Sequence, residues 1–457
     1  MGKKIGRIPL YLAVFGVLLC SIIIFFSALR GMPIVLDFFG YEELETNQLV
    51  TISLSITAGL GAAVFMVVNY RKQSLEERKY ADSHESELVA SFNEYARDLN
   101  QQTTQAVAAI IGISYITDKI SELGPEHKET FNQRCVDILC SFLRSQTDEK
   151  SPRLAEIKQS EVIKQFRVHT LEDAENSWSG CTFNLPEIRF FAKLDLRNSV
   201  FDGLVDFNGS QFERSIDLSY TKFSTVNFDN TTFMGEKNLF IHTKFRDEIT
   251  FTGNCKFMHD TYFNEAVFPD QVVFGNSFTP STRESEEHSN ITIFYGNLSF
   301  QNAHFGSTGS GSAYFNSAMF RDSADFSKAH FGSLEFVYAQ FEKSLYLDQT
   351  TILLGINLEH ASIRHDLQLK SLTFPDVNYA APELKLYKTK VGGSFILDEK
   401  LDEKLGETYA ENFEENTALP RHLQISEMEV GDASPSSMLN GFFETNRLRI
   451  HSSAKTV

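Results

Sequence analysis

The stretch Val205-Asp206-Phe207-Asn208-Gly209-Ser210-Gln211-Phe212 contains the pattern that decides the fold of this chain. Phenylalanine recurs every five or six residues, here and through the middle of the sequence, which holds 41 Phe but only one Trp. Residues five apart are rotated by about 140° on an α-helix, and an odd spacing on a β-strand sends them to opposite faces. All of the rings can point inward only if the chain turns a corner within each repeat, which predicts a solenoid of very short, stacked strands.

A second position of the repeat carries small or β-branched side chains and supports this prediction. It lies two residues before each Phe, and positions i and i−2 of a strand share a face, so each repeat sends one large and one small side chain inward. An aromatic-rich β-sandwich is the alternative, but that fold has turn signals about every 8–12 residues and no fixed short repeat. The recurring rings are Phe201, Phe207, Phe212, Phe223, Phe228, Phe233, Phe245, Phe251, Phe257, Phe263, Phe268 and Phe274, and then Phe294 to Phe341. The small partners are Ser199, Val205, Ser210, Thr221, Val226, Thr231, Ile249, Cys255, Thr261, Ala266, Val272, Ala303, Ala313, Ala318, Ala324, Ala329 and Ala339.

These two positions make the chain resemble the pentapeptide-repeat family, whose five-residue unit is centred on Leu or Phe with Ala, Ser, Cys, Thr or Val two residues earlier. The cleanest match runs from Ala318-Met319-Phe320 to Ala339-Gln340-Phe341. The alternation of five and six residues resembles the variant with an 11-residue double unit. The resemblance implies a mainly β fold, a right-handed quadrilateral β-helix on the order of 50 Å long.

Length and composition limit the remaining architecture. The chain of 457 residues is too long for one ordinary domain, and its hydrophobic content of 42% excludes global disorder. Its five cysteines are scattered without CxxC or CxxH spacing, so neither a disulfide framework nor a zinc site is indicated. We expect Cys135 and Cys140, five residues apart on a helix, to be core thiols. The cysteines are Cys20, Cys135, Cys140, Cys181 and Cys255.

Two uncharged segments near the N-terminus predict transmembrane helices. The segments Ile8–Leu29 and Leu49–Val68 are each long enough to cross a hydrocarbon core of about 30 Å. A cleaved signal peptide is the alternative for the first segment, but its apolar run is long and no small-residue cleavage site follows. The stripe Thr51, Ser55, Gly59 and Ala63 suits close packing of helices, either of the two segments with each other or with a second copy in a homo-oligomer.

The basic residues around these segments set the expected orientation. Lys3, Lys4 and Arg7 precede the first segment, Arg71 and Lys72 follow the second, and the connection 31–47 has acidic but no basic residues. The positive-inside tendency therefore predicts a multi-pass protein of the cell membrane with both termini in the cytoplasm.

Helical patterns fill the region between the second apolar segment and the repeats. Leu88, Phe92, Tyr95 and Leu99 follow helical spacing and predict an amphipathic helix. Further helices are predicted over Ala106–Ile116, around the face Val136, Leu139, Cys140 and Leu143, and over Lys158–Phe166, with boundaries at Pro125 and Pro152. The predicted parts are therefore a transmembrane hairpin (1–71), an amphipathic linker helix (72–102), a small helical domain (103–171), the pentapeptide-repeat β-helix (172–398) and an acidic, partly disordered tail (399–457).

Three short stretches outside the repeats sharpen the resemblance. They are Asn69-Tyr70-Arg71 at the end of the second apolar segment, the helical run beginning Gln133-Arg134-Cys135, and Ser177-Trp178-Ser179 before the repeats. All three resemble membrane-anchored pentapeptide-repeat proteins, chiefly actinobacterial ones. The resemblance implies a solenoid that is attached to a membrane through its N-terminal helices.

Breaks in the rhythm predict where the solenoid is irregular. Pro280–Asn290 is expected to form a polar loop, and Gly306–Ser312 is expected to be a degenerate repeat. The second stretch has no Lys and no flanking strand and helix, so a phosphate-binding loop is not indicated. After Leu347 the repeat decays toward Leu367, Leu369, Leu384 and Leu386, with a last coil at Phe395 and a short capping helix near Leu439–Phe443.

Residues that could carry chemistry are few. His360 and His365 lie one repeat apart, on adjacent sides of the coil, so we expect surface histidines and no metal site. Asp206, Asp217 and Asp325 directly precede inward residues and should point outward as solvated or ladder-forming groups. No residue is predicted to be catalytic, to bind a cofactor or to bind a metal, and the chain is not expected to be an enzyme.

Three functions remain compatible with the sequence. The first is a membrane-anchored, non-enzymatic scaffold that presents the β-helix to a protein partner. The second is an inhibitor of a nucleic-acid enzyme, since some soluble pentapeptide-repeat proteins mimic duplex DNA and inhibit type II topoisomerases. The formal charge of −18 is compatible with mimicry and argues against direct binding of nucleic acid. The third is an oligomerising membrane effector, motivated by the small-residue stripe alone.

Overall fold

The computed structural model describes residues 46–147, 151–275, 291–306, 309–373, 383–386 and 388–397, a few residues between 19 and 31, and the short stretches 423–424, 429–432 and 449–450. The chain divides into two compact units, Met1–Glu87 and Leu88–Val457. Between residues 46 and 170 the structure describes four helices: α1 (Thr46–Asp98), α2 (Thr103–Ser121), α3 (Pro125–Ser145) and α4 (Pro152–Thr170).

Helix α1 is one continuous helix of 53 residues and runs through the boundary predicted at Arg71. Within the residues described above, no helix is long and apolar enough to cross a membrane. The two predicted spans are therefore not supported by the structure. The first of them, Ile8–Leu29, lies almost entirely outside the described residues.

The strands form a solenoid in which each strand pairs in parallel with the strand one coil further along the chain. Three ladders run the length of this solenoid. Ladder 1 contains Phe183–Asn184, Val200–Asp206, Lys222–Asn227, Lys244–Thr250, Val267–Phe268, Gln271–Val273, His304–Phe305, Ser312–Tyr314, His330–Glu335, Thr351–Asn357, Glu383–Lys385 and Leu423–Gln424. Ladder 2 contains Arg189–Phe190, Gln211–Phe212, Thr232–Phe233, Lys256–Phe257, Ile293–Phe294, Met319–Phe320, Gln340–Phe341, Ser362–Ile363, Lys390–Leu397, Glu429–Asp432 and Arg449–Ile450. Ladder 3 contains Leu194–Asp195, Ile216–Asp217, Lys237–Leu239, Asp260–Tyr262, Leu298–Ser299, Ala324–Asp325, Leu345–Tyr346 and Leu367–Leu369, and it ends on Lys390–Leu397.

The predicted phenylalanine rhythm is confirmed, because the rings fill the solenoid in four stacks. Consecutive rings within a stack have centroids 4.3 to 5.8 Å apart, and every recurring Phe and small partner of the repeat is buried. Each buried Phe contributes about 1.5–3 kcal/mol through the hydrophobic effect. Stack A is Phe201, Phe223, Phe245, Phe268, Phe305 and Phe331. Stack B is Phe207, Phe228, Phe251, Phe274, Phe315 and Phe336. Stack C is Phe190, Phe212, Phe233, Phe257, Phe294, Phe320 and Phe341. Stack D is Phe240, Phe263, Phe300 and Phe326.

The small partner position often carries a hydroxyl that links one coil to the coil before it. Thr221 donates to the carbonyl oxygen of Leu196 at 2.7 Å, and Thr243 donates to that of Leu218 at 2.8 Å. A buried hydroxyl is stable only when it is hydrogen-bonded, and this bond meets that requirement inside an apolar core. Small polar residues are therefore tolerated at the inward position.

The two breaks in the rhythm are insertions at corners of the coil. Phe305 and Phe315 belong to stacks A and B of the same coil, so Gly306–Ser312 does not replace a repeat, and the expected degenerate repeat is corrected. The stretch instead widens a corner between two consecutive sides. The other interruption joins Phe274 of stack B to Phe294 of stack C, also consecutive sides. The predicted polar loop at 280–290 itself lies outside the described residues.

The parallel ladders continue beyond the decay of the phenylalanine pattern. Ile352, Leu358, Ile363 and Leu369 are buried in place of Phe. Short strands at Leu423–Gln424, Glu429–Asp432 and Arg449–Ile450 extend ladders 1 and 2 into the segment that was expected to be a tail. Ile and Leu occupy the inward positions that Phe occupies in earlier coils, so parallel strand pairing continues beyond the last Phe of the pattern. The predicted capping helix at 439–443 lies outside the described residues.

Helices α2 to α4 form the start of the unit Leu88–Val457, and their predicted faces are confirmed. Val136, Leu139, Cys140 and Leu143 are all buried on α3, and Pro125 and Pro152 begin helices as expected. The side chains predicted to form the apolar face at the end of α1 pack against the same core.

Two glutamine side chains of these helices form hydrogen bonds with backbone groups at the open edge of the first coil. Gln159 of α4 is fully buried, accepts from the amides of Phe191 and Ala192 at 2.7 and 3.1 Å, and donates to the carbonyl of Arg189 at 2.8 Å. Gln133 of α3 accepts from the amide of Thr182 at 2.8 Å and donates to its carbonyl at 3.0 Å. Each side-chain amide takes the place of a peptide group in the coil that would precede the first one.

Candidate interaction surfaces

The residues considered as metal ligands do not form a metal site. Over the part of the chain that the structure describes, no group of His, Cys, Asp and Glu could hold a metal ion. His360 stacks on Tyr338 with ring centroids 4.6 Å apart, while His365 is exposed on another side of the coil. The structure does not bring the two histidines together.

The described cysteines are buried, free thiols, which agrees with the prediction for Cys135 and Cys140. Burial raises the pKa of Cys135, Cys181 and Cys255 to about 12 and also raises the pKa of Cys140. These thiols therefore stay protonated at neutral pH and are poor nucleophiles. They serve as small apolar side chains, and the Cys255 thiol donates to the carbonyl of Phe228 at 3.0 Å.

The acidic residues that precede inward positions stabilise the corners of the coil. Asp206 accepts from the amide of Asn208 at 3.0 Å, and Asp325 accepts from the amide of Ser327 at 2.9 Å. This side-chain bond to the amide two residues on is the Asx turn. Asp217 forms the same bond and is only 5% exposed, so of the two expected roles, solvated or ladder-forming, it does not have the solvated one. The side chain of Asp217 also lies 3.4 Å from the Arg197 guanidinium, which compensates its charge.

A groove of about 670 Å³ lies between the loop after α4 and the corner of the first coils. Its walls carry opposed charges: Lys222 donates to the carboxylate of Glu172 at 2.6 Å, and His242 lies 3.3 Å from that of Glu265. Tyr220 stacks on His242 with ring centroids 4.7 Å apart. The groove is lined by Lys222 and Lys244 as well as by Glu172 and Asp173, so it carries both basic and acidic side chains.

A second surface is an exposed apolar patch on ladder 2, here named the apolar strip. At least one outward neighbour of the inward Phe is apolar in four consecutive coils of this ladder, and both neighbours are apolar in the coil of Phe294. The remaining neighbours are Thr232, Lys256 and Arg321. Met234 is 40% exposed and Tyr295 is 39% exposed, and the other three members are partly exposed. The apolar strip consists of Met234, Met258, Ile293, Tyr295 and Met319.

Charged pairs bound the apolar strip at both ends. Before it, the Arg189 guanidinium lies 2.7 Å from the carboxylate of Glu213. After it, Arg321 pairs with Glu342 of the next coil, and Lys343 pairs with Asp322 at 2.8 Å. The charges of the flanking coils are therefore neutralised along the ladder, whereas the apolar side chains of the strip face solvent.

Two glycines keep the corner beside the apolar strip tight. A Cβ on Gly235 would lie 2.1 Å from the backbone nitrogen of Ser215, and a Cβ on Gly296 would lie 2.4 Å from the carbonyl carbon of His259. Backbone atoms cannot yield in the way that a flexible side chain can, so only glycine fits at either position. The close approach leaves the rim of the strip without projecting side chains there.

Inward stacks and outward columns define this chain as a β-solenoid repeat protein. Residues 196–236 match the family described as Pentapeptide repeats, with nine copies. This match agrees, over these residues, with the pentapeptide repeats that the spacing of Phe and of its small partner predicts. No curated protein matches the chain, and no solved structure matches it either. The pentapeptide-repeat β-solenoid is a non-enzymatic type of fold.

Sequence reasoning missed both the apolar strip and the glutamine caps. The strip had a readable signal, because Met or Tyr follows the inward Phe at Met234, Met258 and Tyr295, where Glu213 and Arg321 occupy the same position in the flanking coils. The glutamine caps had no comparable signal. A glutamine on a helix surface is common, and its bonds depend on how the helix packs on the first coil.

Proposed function

We propose that this protein is a non-enzymatic scaffold that binds a protein partner through the apolar strip of its solenoid. The observation that carries the proposal is the strip itself, because exposed apolar side chains in neighbouring coils are grouped between coils whose charges are paired. Grouped apolar side chains that are rimmed by polar residues are typical of protein-binding surfaces. The repeat architecture suits this role, since stacked coils supply a long face without any demand on the buried residues.

Charge pairing makes the mimicry of nucleic acid a weaker candidate. A mimic of duplex DNA needs rows of acids that are free to meet a basic surface. On this solenoid Asp195 contacts Arg197, Asp202 contacts Arg246, and Glu213 contacts Arg189. These acids are already engaged with basic residues of the same chain.

Two finer properties belong to the same proposal. We infer that the solenoid is right-handed and four-sided, which is supported by its four stacks and by the strong preference of parallel crossovers for the right hand. We also propose that the N-terminal segments tether the protein to the cell membrane as a multi-pass hairpin with both termini in the cytoplasm.

Sequence and local contacts support the tether. The segments 8–29 and 49–68 are uncharged. In the second, Leu54 and Phe65 are exposed, and the hydroxyls of Thr51 and Ser55 donate to carbonyls of their own helix at 2.8 and 2.9 Å. Hydroxyls bonded in this way are compatible with a lipid environment. Alkaline extraction of membranes and reporters fused to either end test the tether, and release of the full chain by carbonate would overturn it.

Co-purification tests the scaffold. The tagged full-length protein is compared with Met258→Lys, which places a charge in the strip, and with Leu354→Lys, which places one at an exposed Leu of ladder 1. We expect at least one protein to be retained by the wild type and by Leu354→Lys and lost from Met258→Lys. Identical sets of proteins from all three would contradict the proposal.

A further inference from the structure

We propose that the partner element bound by the apolar strip is an amphipathic α-helix that lies along the axis of the solenoid. This inference rests on the proposed scaffold function and adds the chemistry of the partner to it.

The spacing of the strip matches the pitch of a helix. Met234, Met258 and Tyr295 occupy the same outward position in three consecutive coils of ladder 2. Parallel strands lie about 4.8 Å apart, and an α-helix rises about 5.4 Å per turn. A helix that lies along the column therefore places one turn over each coil, and its residues at i, i+3 or i+4, and i+7 meet successive coils.

The width of the strip matches an apolar helix face. Ile293 and Tyr295 flank the inward Phe294, and Met319 follows Ile293 in the next coil, so a second apolar row of two residues lies beside the first. In the coil before Ile293 this row carries Lys256, whose charge suits an acidic residue at the edge of a helix stripe. The apolar stripe of an amphipathic helix, about 100° wide, therefore fits over the first row and the end of the second. Methionine adapts its shape to different partners, so the rows can accept more than one helix sequence.

The charged coils limit the length of the bound segment. The strip runs from the coil of Phe233 to the coil of Phe320, with Glu213 before it and Arg321 beside its last member. Three intervals of about 4.8 Å give a strip about 14 Å long, which is the length of about ten helical residues. The polar ends of the helix would then meet the charged coils on both sides.

The area of the strip favours a helix over a second copy of the chain. Stable dimers bury about 800 Å² on each partner. Five partly exposed side chains present at most a few hundred Å² of apolar surface, on the order of the largest patch on an ordinary monomer. A short helix can bury most of that area, whereas two flat solenoid faces would leave a dimer interface that is mostly polar.

A designed peptide tests this inference on the full-length protein in lipid nanodiscs. The probe is a fluorescein-labelled peptide of about 14 residues, lactam-stapled on its polar face, with Leu at i, i+3, i+4 and i+7 spacing and Lys and Glu elsewhere. Its control has the same composition with the Leu residues distributed around the helix. We expect fluorescence anisotropy to show binding of the striped peptide, and Met258→Lys to weaken it by about tenfold or more, because a charge would have to be desolvated. Met258→Leu and Leu354→Lys should bind as the wild type does.

Three results would contradict the proposal that the strip binds an amphipathic helix. These are equal binding of the two peptides, binding that Met258→Lys leaves unchanged, and self-association of the full chain that Met258→Lys abolishes in light scattering. The outcomes also separate the two proposals. A partner that depends on Met258, together with failure of the striped peptide, would leave the scaffold and remove the helix. Binding of the striped peptide, without a partner in cells that depends on Met258, would support helix binding by the strip and contradict the scaffold function.

Discussion

Single side chains decide where the solenoid begins and how close its coils can lie. Gln159 completes the hydrogen bonds of an edge that would otherwise be open, and Gly235 permits a backbone approach that no other residue allows. Neither role follows from the five-residue rhythm. Both depend on what a neighbouring element places opposite the residue.

Loss of the cap at Gln159 should destabilise the unit that contains it. Gln159→Leu keeps the bulk of the side chain but leaves the amides of Phe191 and Ala192 without an acceptor in a buried place, which costs about 2–4 kcal/mol for the two amides together. Chemical denaturation of the full-length protein measures the change. Gln340→Leu, at an exposed position of ladder 2, is the control and should stay within about 0.5 kcal/mol of wild type. Equal stability of Gln159→Leu and wild type would remove the role of this cap.

Glycine at 235 should be irreplaceable even by alanine. Gly235→Ala places a Cβ against the backbone of Ser215 and should lower the free energy of unfolding by about 1–3 kcal/mol through overpacking. Gly180→Ala is the matched control, because a Cβ there has nothing within 4 Å. If thermal unfolding gives the same midpoint for both variants, the close approach at this corner is not tight.

At the scale of elements, stacked rings and parallel ladders hold the coils together. Consecutive rings of a stack contact each other, and some, such as Phe263, also contact rings of neighbouring stacks, so the stability of one coil depends on the coils beside it. Phe263 of stack D, for example, lies 4.4 Å from Phe240 and 4.8 Å from Phe300, centroid to centroid.

Removal of one ring should open its own coil and the adjacent coils more than distant ones. Phe263→Ala creates a cavity among rings and should cost about 3–5 kcal/mol, whereas the more conservative Phe263→Leu should cost less. Hydrogen exchange of the backbone amides provides the readout. Protection should fall most in the coils that contain Phe240, Phe263 and Phe300. A uniform loss over the whole solenoid would show that the coils do not unfold as separate neighbours.

The stacked pair His304 and His330 should make part of ladder 1 sensitive to acid. The two rings lie 4.4 Å apart, and the pKa of His330 is lowered from 6.5 by burial first and by the charge of His304 second. The neutral form is therefore favoured in the folded state. Its contribution to stability is present above pH 6.5 and is lost as the pH falls through the lowered pKa.

Ring proton chemical shifts of His330, followed by NMR against pH, measure this directly. We expect a midpoint below 6.5, and a rise of that midpoint in His304→Gln, because one of the two causes of the shift is removed. A midpoint of His330 at or above 6.5 would contradict the expectation.

The limits of sequence reasoning are clearest in these elements. The spacing of Phe and of its small partner predicts the stacks because both residues reach the interior by local geometry alone. Gly306–Ser312 looks like a lost repeat in the sequence, yet Phe305 and Phe315 are consecutive sides, and only the ladder register distinguishes the two cases. The apolar strip can be predicted from Met234, Met258 and Tyr295 once the outward column is known. The capping role of Gln159 cannot be predicted in this way, because its hydrogen-bond partners lie in a coil that is distant in sequence.

The molecule as a whole combines a helical cap, a solenoid and N-terminal segments that we propose to be a membrane tether. The solenoid buries its aromatic stacks and pairs many of its charges between coils, and the apolar strip groups exposed apolar residues on ladder 2. If this surface binds a partner, specificity is determined by the outward residues of a few central coils and by the pairs that bound them.

Photo-crosslinking in cells tests the central claim most directly. The photoreactive residue p-benzoylphenylalanine replaces Met258 in the strip or Leu354 on ladder 1 of the full-length protein, and the attached residues of any adduct are mapped by mass spectrometry. The account predicts a discrete adduct from position 258 and none of the same kind from position 354. It also predicts partner attachment sites three or four residues apart. Matching adducts from both positions, or none from position 258, would contradict the claim that the apolar strip is the binding face.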